Sequence, residues 1–507
     1  MNHKMSKPSY YLLSFSLLGF AFLVMVLATK WGIGLTPDSI AYIQGARGIL
    51  KNLDFTGVGT HYPPLYFALL AWSGLFFESI LPAARYLHIC IFVANTFLFA
   101  YLIKSKTQSQ PLFILGLSIF ISATATFQTH IMAWSEPIFI TFLLLNFHFF
   151  SEYLWKGRNQ YLILAGVFAA LAFLTRYVGI TLVITCLSII LFHSQQQLKE
   201  RFKNAFLFGL VSGAPIFFWL LHNILTQNQI TSRSSVLHTI SLQRIQQGIE
   251  TVGDWFFLSL DKACLLIVLF ILLGWLYWKF YHKKNPEHSG DYHLLVVSVI
   301  YTAVYVLSLF ISISFFDAYT PLDNRILLPV FLCLMFAMLL LFKKCSDNFR
   351  QRARTVLYVG ACVFLLLQIM AFQKNLALFI NEGITYNGVG YSSKIWITSK
   401  SVGYVRSLPG RTVIYSNGPE VINLLLDRPS TMIPQLINPV NRLKNQNFSA
   451  EFKNMTEDIK SNNGYLIYFV NINWRWYLPS LLMLVQSLQD FTIYQTEDGY
   501  LFLPPKQ

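Results

Sequence analysis

Three features of the sequence predict a polytopic α-helical membrane protein with a small C-terminal α/β domain. Of its 507 residues, 55% are hydrophobic and 12% are charged, about half the charged fraction of a soluble domain. Long apolar runs separated by short basic loops fill residues 1–372, the pattern of repeated membrane-crossing helices. From 373 to 507 the chain turns polar, with short apolar runs between turn signals, as in a small α/β unit. The alternation of a transmembrane barrel is absent.

Residues 1–29 pair a basic start with an apolar stretch that is long and lacks a small-residue cleavage site. They are read as a retained first span, about Tyr11–Thr29, with Lys4 and Lys7 in the cytoplasm. The first outer loop, 30–83, follows. Thr36 suits a helix cap, Pro37 the first helical position and Asp38 the first turn. Ile40, Ile43, Ala46 and Leu50 fall near one face, which predicts a short helix along the membrane surface. His61-Tyr62-Pro63-Pro64-Leu65-Tyr66 makes a proline-fixed turn. Leu65–Leu81 is either a span or a surface helix; the second places Lys104 and Lys106 inside after span 2, about Ala84–Ile103.

Span 3, about Leu112–Phe127, leads out to Gln128–Glu136, and span 4, about Pro137–Tyr153, returns to Lys156 and Arg158. Residues 161–192 divide into two spans that meet near Arg176-Tyr177. Span 7, about Ala205–Leu221, begins after Lys199, Arg201 and Lys203 and leads to an outer loop, roughly His222–Asp254. Span 8 ends in Lys279, Lys283 and Lys284; span 9, about Leu294–Phe315, exits to Asp317–Arg325. Span 10 ends at Lys343-Lys344, and span 11 is about Val356–Phe372. The result is about eleven spans with residues 373–507 outside. Within the tail, Thr412–Tyr415, Tyr465–Val470 and Phe491–Tyr494 read as strands and Leu478–Gln489 as a helix.

The formal net charge of +15 is spread over alternate loops. That is the positive-inside distribution, so nucleic acid is not an expected partner and the lipid bilayer is. All six cysteines (90, 186, 264, 333, 345 and 362) fall in or at the ends of apolar spans, which leaves no disulfide framework and no CxxC metal site. There is no internal repeat and no Gly-rich phosphate loop.

Asp38 is a carboxylate at a membrane interface beside a Tyr/Pro corner, a place for chemistry on a lipid-linked substrate or for simple complementation of a helix dipole. Short motifs in order settle on a resemblance. An acidic residue soon after the first span, Tyr42 four residues on, and Tyr62-Pro63-Pro64-Leu65-Tyr66 come first. Trp134-Ser135-Glu136-Pro137, Leu174-Thr175-Arg176-Tyr177 and Asn324-Arg325-Ile326-Leu327-Leu328-Pro329 follow. Together, over roughly residues 10–345, they resemble the GT-C glycosyltransferases. Within these the chain is most similar to family 39, the protein mannosyltransferase and lipid A aminoarabinose transferase group. Many protein mannosyltransferases carry Asp-Glu where this chain has Asp38-Ser39, which loosens the tie to a protein acceptor.

The resemblance implies a GT-C-like catalytic domain over residues 1–372 and an extracytoplasmic domain over 373–507. It implies inverting transfer of a sugar from a polyprenyl-phosphate donor to a lipid, glycan or protein hydroxyl on the outer face. Asp38 is then the general base, with Glu136 orienting the acceptor or joining Asp38 around a divalent metal ion. The alternative for Glu136 is an interfacial helix cap. Arg176 and Arg325 would hold the phosphate, aided by His61 and Tyr62, with Tyr42 and Tyr66 at the substrate. The plainer reading of the arginines is snorkelling, or an ion pair with Asp317 or Asp323. Trp474 and Trp476 offer a sugar-stacking platform or ordinary packing. The functional alternatives are a lipid or glycan transporter, whose matched broken spans are not seen, and a non-catalytic assembly subunit, against which the retained Asp38 argues. Without Asp-Glu and without an ER retention signal, the expected location is a bacterial plasma membrane.

Overall fold

Apolarity sustained over helix-length segments sets the architecture. The computed structural model describes residues 7–55, 58–193, 196–233, 235–257, 261–281, 290–385, 390–439 and 442–505. Lys4, Lys283 and Lys284, three of the basic markers, lie outside the described residues. Among the described residues eight helices are long and apolar enough to cross a bilayer: Ser9–Ala28, Ile80–Thr107, Glu136–Lys156, Leu198–Gln227, Lys262–Phe280, Gly290–Phe315, Leu328–Asn348 and Gln351–Lys374.

Gln110–Ser122 and Thr124–His130, bent by 58°, make a ninth when taken as one broken span. At that bend the Thr126 hydroxyl bonds the carbonyls of Phe120 (2.5 Å) and Ala123 (2.8 Å), satisfying acceptors that the ladder leaves behind. The other two expected spans are the shorter apolar helices Asn159–Thr175 and Tyr177–His193. They part at Arg176, whose backbone is extended at φ −150°. Length alone therefore admits eight or nine spans, against the expected eleven. Leu65–Gly74, at 10 residues, is too short to cross, in keeping with a surface helix.

Helix ends sort by charge. Lys106 Nζ meets Glu152 at 2.6 Å, Lys156 meets it at 2.5 Å, and Lys344 meets Asp291 at 2.7 Å. These contacts involve the ends of four helices, three of which bring a lysine. The opposite ends gather Asp38, Glu136, Arg176 and Arg325. The alternate-loop charge pattern is thus a two-sided molecule in space.

The tail folds around a five-stranded mixed sheet: β1 (Ile414–Ser416), β2 (Thr431–Met432), β3 (Tyr465–Phe469), β4 (Thr492–Gln495) and β5 (Gly499–Leu503), in the order β2-β1-β3-β5-β4. β1 runs parallel to β2 and β3, while β5 is antiparallel to β3 and β4. The expected helix shrinks to Leu481–Ser487. The expected boundary at residue 372 falls inside an unbroken helix, Gln351–Thr385, since no Gly or Pro interrupts residues 361–382.

The sheet domain shares an apolar core with the chain between the first two long helices: Leu35, Ile43 and Tyr66 pack in one cluster with Tyr391, Trp396 and Ile414. Gly390 makes the junction possible. Its φ is +64°, and a Cβ there would stand 2.1 Å from the Leu35 carbonyl oxygen.

Lys106 is fully buried and Glu152 nearly so, whereas Lys156 is 39% exposed. Glu152→Ala should therefore cost about 3–5 kcal/mol by stranding the Lys106 charge, and Lys156→Ala under about 1 kcal/mol. Unfolding of detergent-purified variants measures both; equal, small losses would refute the asymmetry.

Candidate active site

Local sequence aims each charged group. Thr36 caps the helix Pro37–Asn52, its Oγ1 accepting from Ser39 N at 3.5 Å, so Asp38 enters in the first turn. Trp134 Nε1 donates to the same Thr36 oxygen at 2.8 Å. Gly34 N–H donates to Ile131 O, and Ala133 N–H to Gly34 O, both at 2.9 Å. A Cβ on Gly34 would lie 2.2 Å from Met132 Sδ and 3.0 Å from the Ile131 carbonyl oxygen, so a larger residue here would have to push the methionine side chain aside. These bonds fix the Asp38 helix start beside the Glu136 helix start. Arg325 is aimed by a turn in which Asp323 Oδ1 accepts from the N–H groups of Arg325 (3.1 Å) and Ile326 (3.0 Å).

Arg325 is the hub. Its Nη2 donates to Asp38 Oδ2 at 2.8 Å and its Nε to Glu136 Oε1. Arg176 Nη1 meets the same Glu136 oxygen at 2.7 Å and donates to Ser135 Oγ at 3.0 Å. Tyr62 OH donates to Asp38 Oδ1 at 2.9 Å. The Trp134 ring lies 4.1 Å from the Arg325 guanidinium, adding a cation–π contact. Two carboxylates and two guanidiniums thus form a neutral cluster beside a cavity of about 10 Å³ that Tyr305 also lines, room for about one water molecule.

Burial by itself would raise the Asp38 carboxyl, but the Arg325 charge and hydrogen bond, with the Tyr62 bond, hold it below the usual range. Burial and the adjacent Asp38 charge push the Tyr62 phenol up, so it stays a donor.

A second polar network holds the Glu136 helix start from behind. His88 Nδ1 faces the His130 carbonyl at 3.2 Å, so it carries the proton, and Nε2 accepts from Tyr66 OH at 2.8 Å. His130 Nδ1 faces Thr126 O at 2.6 Å, which leaves Nε2 to accept from Asn95 Nδ2 at 3.0 Å. Asn95 Nδ2 also donates to the Pro137 carbonyl at 2.8 Å, one residue past Glu136. Both imidazoles are satisfied as neutral rings.

The structure brings Asp38, Tyr62, Glu136, Arg176 and Arg325 together. Tyr42 and Tyr66 are fully buried, their rings 4.7 Å apart, with hydroxyls engaged by Ser135 and His88, so they brace the site and do not line it. His61 stays outside the cluster, exposed, with Nδ1 3.2 Å from Ser232 Oγ. Arg325 pairs with Asp38 and Glu136 instead of the side chains of Asp317 or Asp323. Trp474 stacks on Arg475 and Trp476 packs against Tyr319, so the two indoles have different partners. Sequence reasoning missed Ser135, His88, His130 and Asn95; the available signal was polar side chains within apolar spans.

A divalent ion does not suit this site. Among the described residues no three His, Cys, Asp or Glu side chains converge, and an ion between Asp38 and Glu136 would displace Arg325 and face Arg176.

Residues 61–220 match the family model described as dolichyl-phosphate-mannose-protein mannosyltransferase. That range includes Tyr62, Glu136 and Arg176; Asp38 and Arg325 join them only in space. The fold is similar to that of ArnT from Cupriavidus metallidurans bound to undecaprenyl phosphate, with TM-score 0.62 and 11% identity over 99% of this chain and 100% of that one. The apo state of the same protein gives TM-score 0.62 and 10% identity with the same coverage. A comparison with curated proteins gives no match. The resemblance read from the motifs is thus met by a family model over residues 61–220 and by an ArnT-like fold over the whole chain.

Removing the hub should reverse the pH dependence of stability at Asp38. With Arg325 present the folded carboxyl lies below its unfolded value of about 3.9. Its contribution is full above that pH and is lost as pH falls through the depressed folded value. In Arg325→Gln the largest force holding the carboxyl down is gone, and only the Tyr62 bond and the more distant Arg176 charge still oppose burial. The carboxyl therefore rises, and the variant should lose stability at neutral pH and regain part of it on acidification. Melting temperatures against pH, with Arg325→Gln/Asp38→Asn restoring part of the neutral-pH loss, check this. Identical pH profiles in wild type and Arg325→Gln would refute the linkage.

Proposed function

We propose that the protein is an inverting membrane glycosyltransferase that moves a sugar from a polyprenyl-phosphate donor to the hydroxyl of a lipid, glycan or protein acceptor. The observation that carries this reading is the single guanidinium of Arg325 bridging Asp38 and Glu136, with Arg176 beside it. The reaction needs a base for the acceptor and cations for the departing phosphate, and this cluster holds both. The matched family description and the undecaprenyl phosphate bound to the similar ArnT fold support a polyprenyl-phosphate donor.

In the step we envisage, the acceptor oxygen bonds to the anomeric carbon as its proton passes to the Asp38 carboxylate. The bond from that carbon to the donor phosphate oxygen breaks, and the phosphate leaves with the electron pair. Arg325 and Arg176 meet the charge of the leaving group. As phosphate draws on Arg325, Asp38 loses the neighbour that depresses its basicity, so donor arrival and base activation are one event. Glu136 keeps the two guanidiniums in place while this exchange occurs.

The charge pattern supports an outward-facing cluster and C-terminal domain, with the lysine-rich end in the cytoplasm of a bacterial plasma membrane. In a cysteine-free background, Lys51→Cys and Ser461→Cys should react with an impermeant reagent on intact cells, and Arg158→Cys only after lysis. The reverse pattern would overturn the orientation. For the chemistry, Asp38→Asn should lower turnover on the order of 10²–10⁴-fold in folded, purified protein. Donor binding should change far less, since it rests on Arg176 and Arg325. Near-normal transfer by that variant would sink the assignment of the base.

A further inference from the structure

A second cavity lies in the C-terminal domain, away from the charged cluster. It has a volume of about 610 Å³ and is bounded by the chain after β2 and the first turn of the helix Phe448–Ser461, well within the range of small-molecule sites. The chain after β2 doubles back on itself to form the wall. Ile437 and Lys444 make an antiparallel bridge, Asn438 N–H donates to Leu443 O at 2.9 Å, and Arg442 turns the corner at φ 57°. Asn445 Nδ2 braces the wall through Gln435 O (3.0 Å) and Glu451 Oε2 (2.8 Å).

The lining has a definite chemistry. Five of its side chains are carboxamides, and Lys444 and Glu451 add one charge of each sign. Gln446, Asn447 and Lys444 are exposed, and their side chains make no hydrogen bond to another described residue. Asn445 is used in bracing the wall, but the exposed carboxamides of Gln446 and Asn447 each offer two donors and an acceptor, the complement of a ligand whose every hydroxyl both donates and accepts. The balanced charge disfavours a phosphate or nucleotide, and so polar a wall disfavours an acyl chain. Leu436 N–H donates to Tyr477 O at 2.9 Å, and the neighbouring Trp476, 42% exposed, packs 5.8 Å from Tyr319.

We infer that this pocket binds a neutral saccharide, at a site distinct from the Asp38–Arg325 cluster. Two contacts join it to the segment that delivers Arg325: Arg442 Nη2 reaches Ala318 O at 3.4 Å, and Trp476 packs on Tyr319. Where the glycosyltransferase reading holds, the bound sugar is a unit of the acceptor glycan, gripped on the domain that leans on the catalytic loop. That assignment rests on the proposed function; the binding itself does not.

The test uses full-length protein in detergent and needs no turnover. Saturation-transfer NMR is run with glucose, galactose, mannose, N-acetylglucosamine and their disaccharides, and separately with inorganic phosphate. At least one saccharide should bind, and Gln446→Ala/Asn447→Ala, which alters two exposed side chains, should weaken its Kd about tenfold or more with an unchanged melting temperature. Asp38→Asn should leave saccharide binding intact. Binding by none of the sugars, binding indifferent to the double variant, binding lost in Asp38→Asn, or phosphate binding in place of sugar would each overturn the proposal. None of these outcomes bears on whether Asp38 is the base, so the two readings fail separately.

Discussion

One guanidinium shared between two carboxylates organises the end of this fold opposite the lysine-rich helix ends. Asp38 lies 287 residues from Arg325 in sequence, and Glu136 lies 189 from it. Helix packing brings these segments near one another, and the charge contacts, with the Tyr62 hydrogen bond and the Trp134 ring, fix their side chains. A buried ion pair adds little net stability over an apolar substitute, because desolvation offsets most of the attraction, yet losing one partner is costly. The cluster is therefore better understood as a positional constraint than as a source of fold stability. The helices themselves are held by close van der Waals packing through the large apolar core that runs between them.

The backbone is bent to serve that constraint. The helix pair from Gln110 to His130 breaks at Ala123, Asn159–Thr175 ends in an extended Arg176, and Glu136 and Asp38 both sit in the first turn of their helices. Irregular backbone at such depths survives only where side chains replace missing partners. Thr126 does so at one break, and His88, His130 and Asn95 do so around Pro137. Gly34 and Gly390 allow the strands of chain flanking the site to touch main chain to main chain. Site geometry here is a property of helix ends held by buried polar groups, with the apolar shafts serving as spacers.

What the sequence made legible follows from which signals are local. Thr36-Pro37-Asp38 announces its helix start through capping chemistry, and the structure has that helix at Pro37–Asn52. The apolar runs announce the spans, and the break at Arg176 was visible because residues 161–192 are too long for one of them. β2, with two residues, carries no periodicity to read, and the helix through residue 372 keeps going because nothing in its sequence stops it. Arginine pairing is the opposite kind of information. Asp323 and Asp317 are near Arg325 in sequence and looked like its partners, but Asp323 is spent on two backbone N–H groups. Partner choice was decided by the packing of four distant segments, which no local pattern encodes. The neutral histidines were equally silent, since their role exists only once a carbonyl stands opposite each Nδ1.

Charge balance in the cluster carries a consequence for how an anion can enter. Asp38 and Glu136 already answer Arg176 and Arg325, so the site as a whole is neutral. A phosphate arriving there gains a guanidinium only by taking it from a carboxylate. Glu136 is the more deeply buried of the two and holds both arginines through one oxygen; Asp38, whose side chain is 34% exposed, holds one. Solvent can take over the hydration of Asp38 far more readily than that of Glu136, so the exchange falls on the Asp38–Arg325 contact. The carboxylate released by an incoming phosphate is then the one that can face an acceptor, and its basicity rises as the cation leaves it. An arrangement that looks like a closed ion network thus has one contact weaker than the rest, placed where the proposed transfer would use a base.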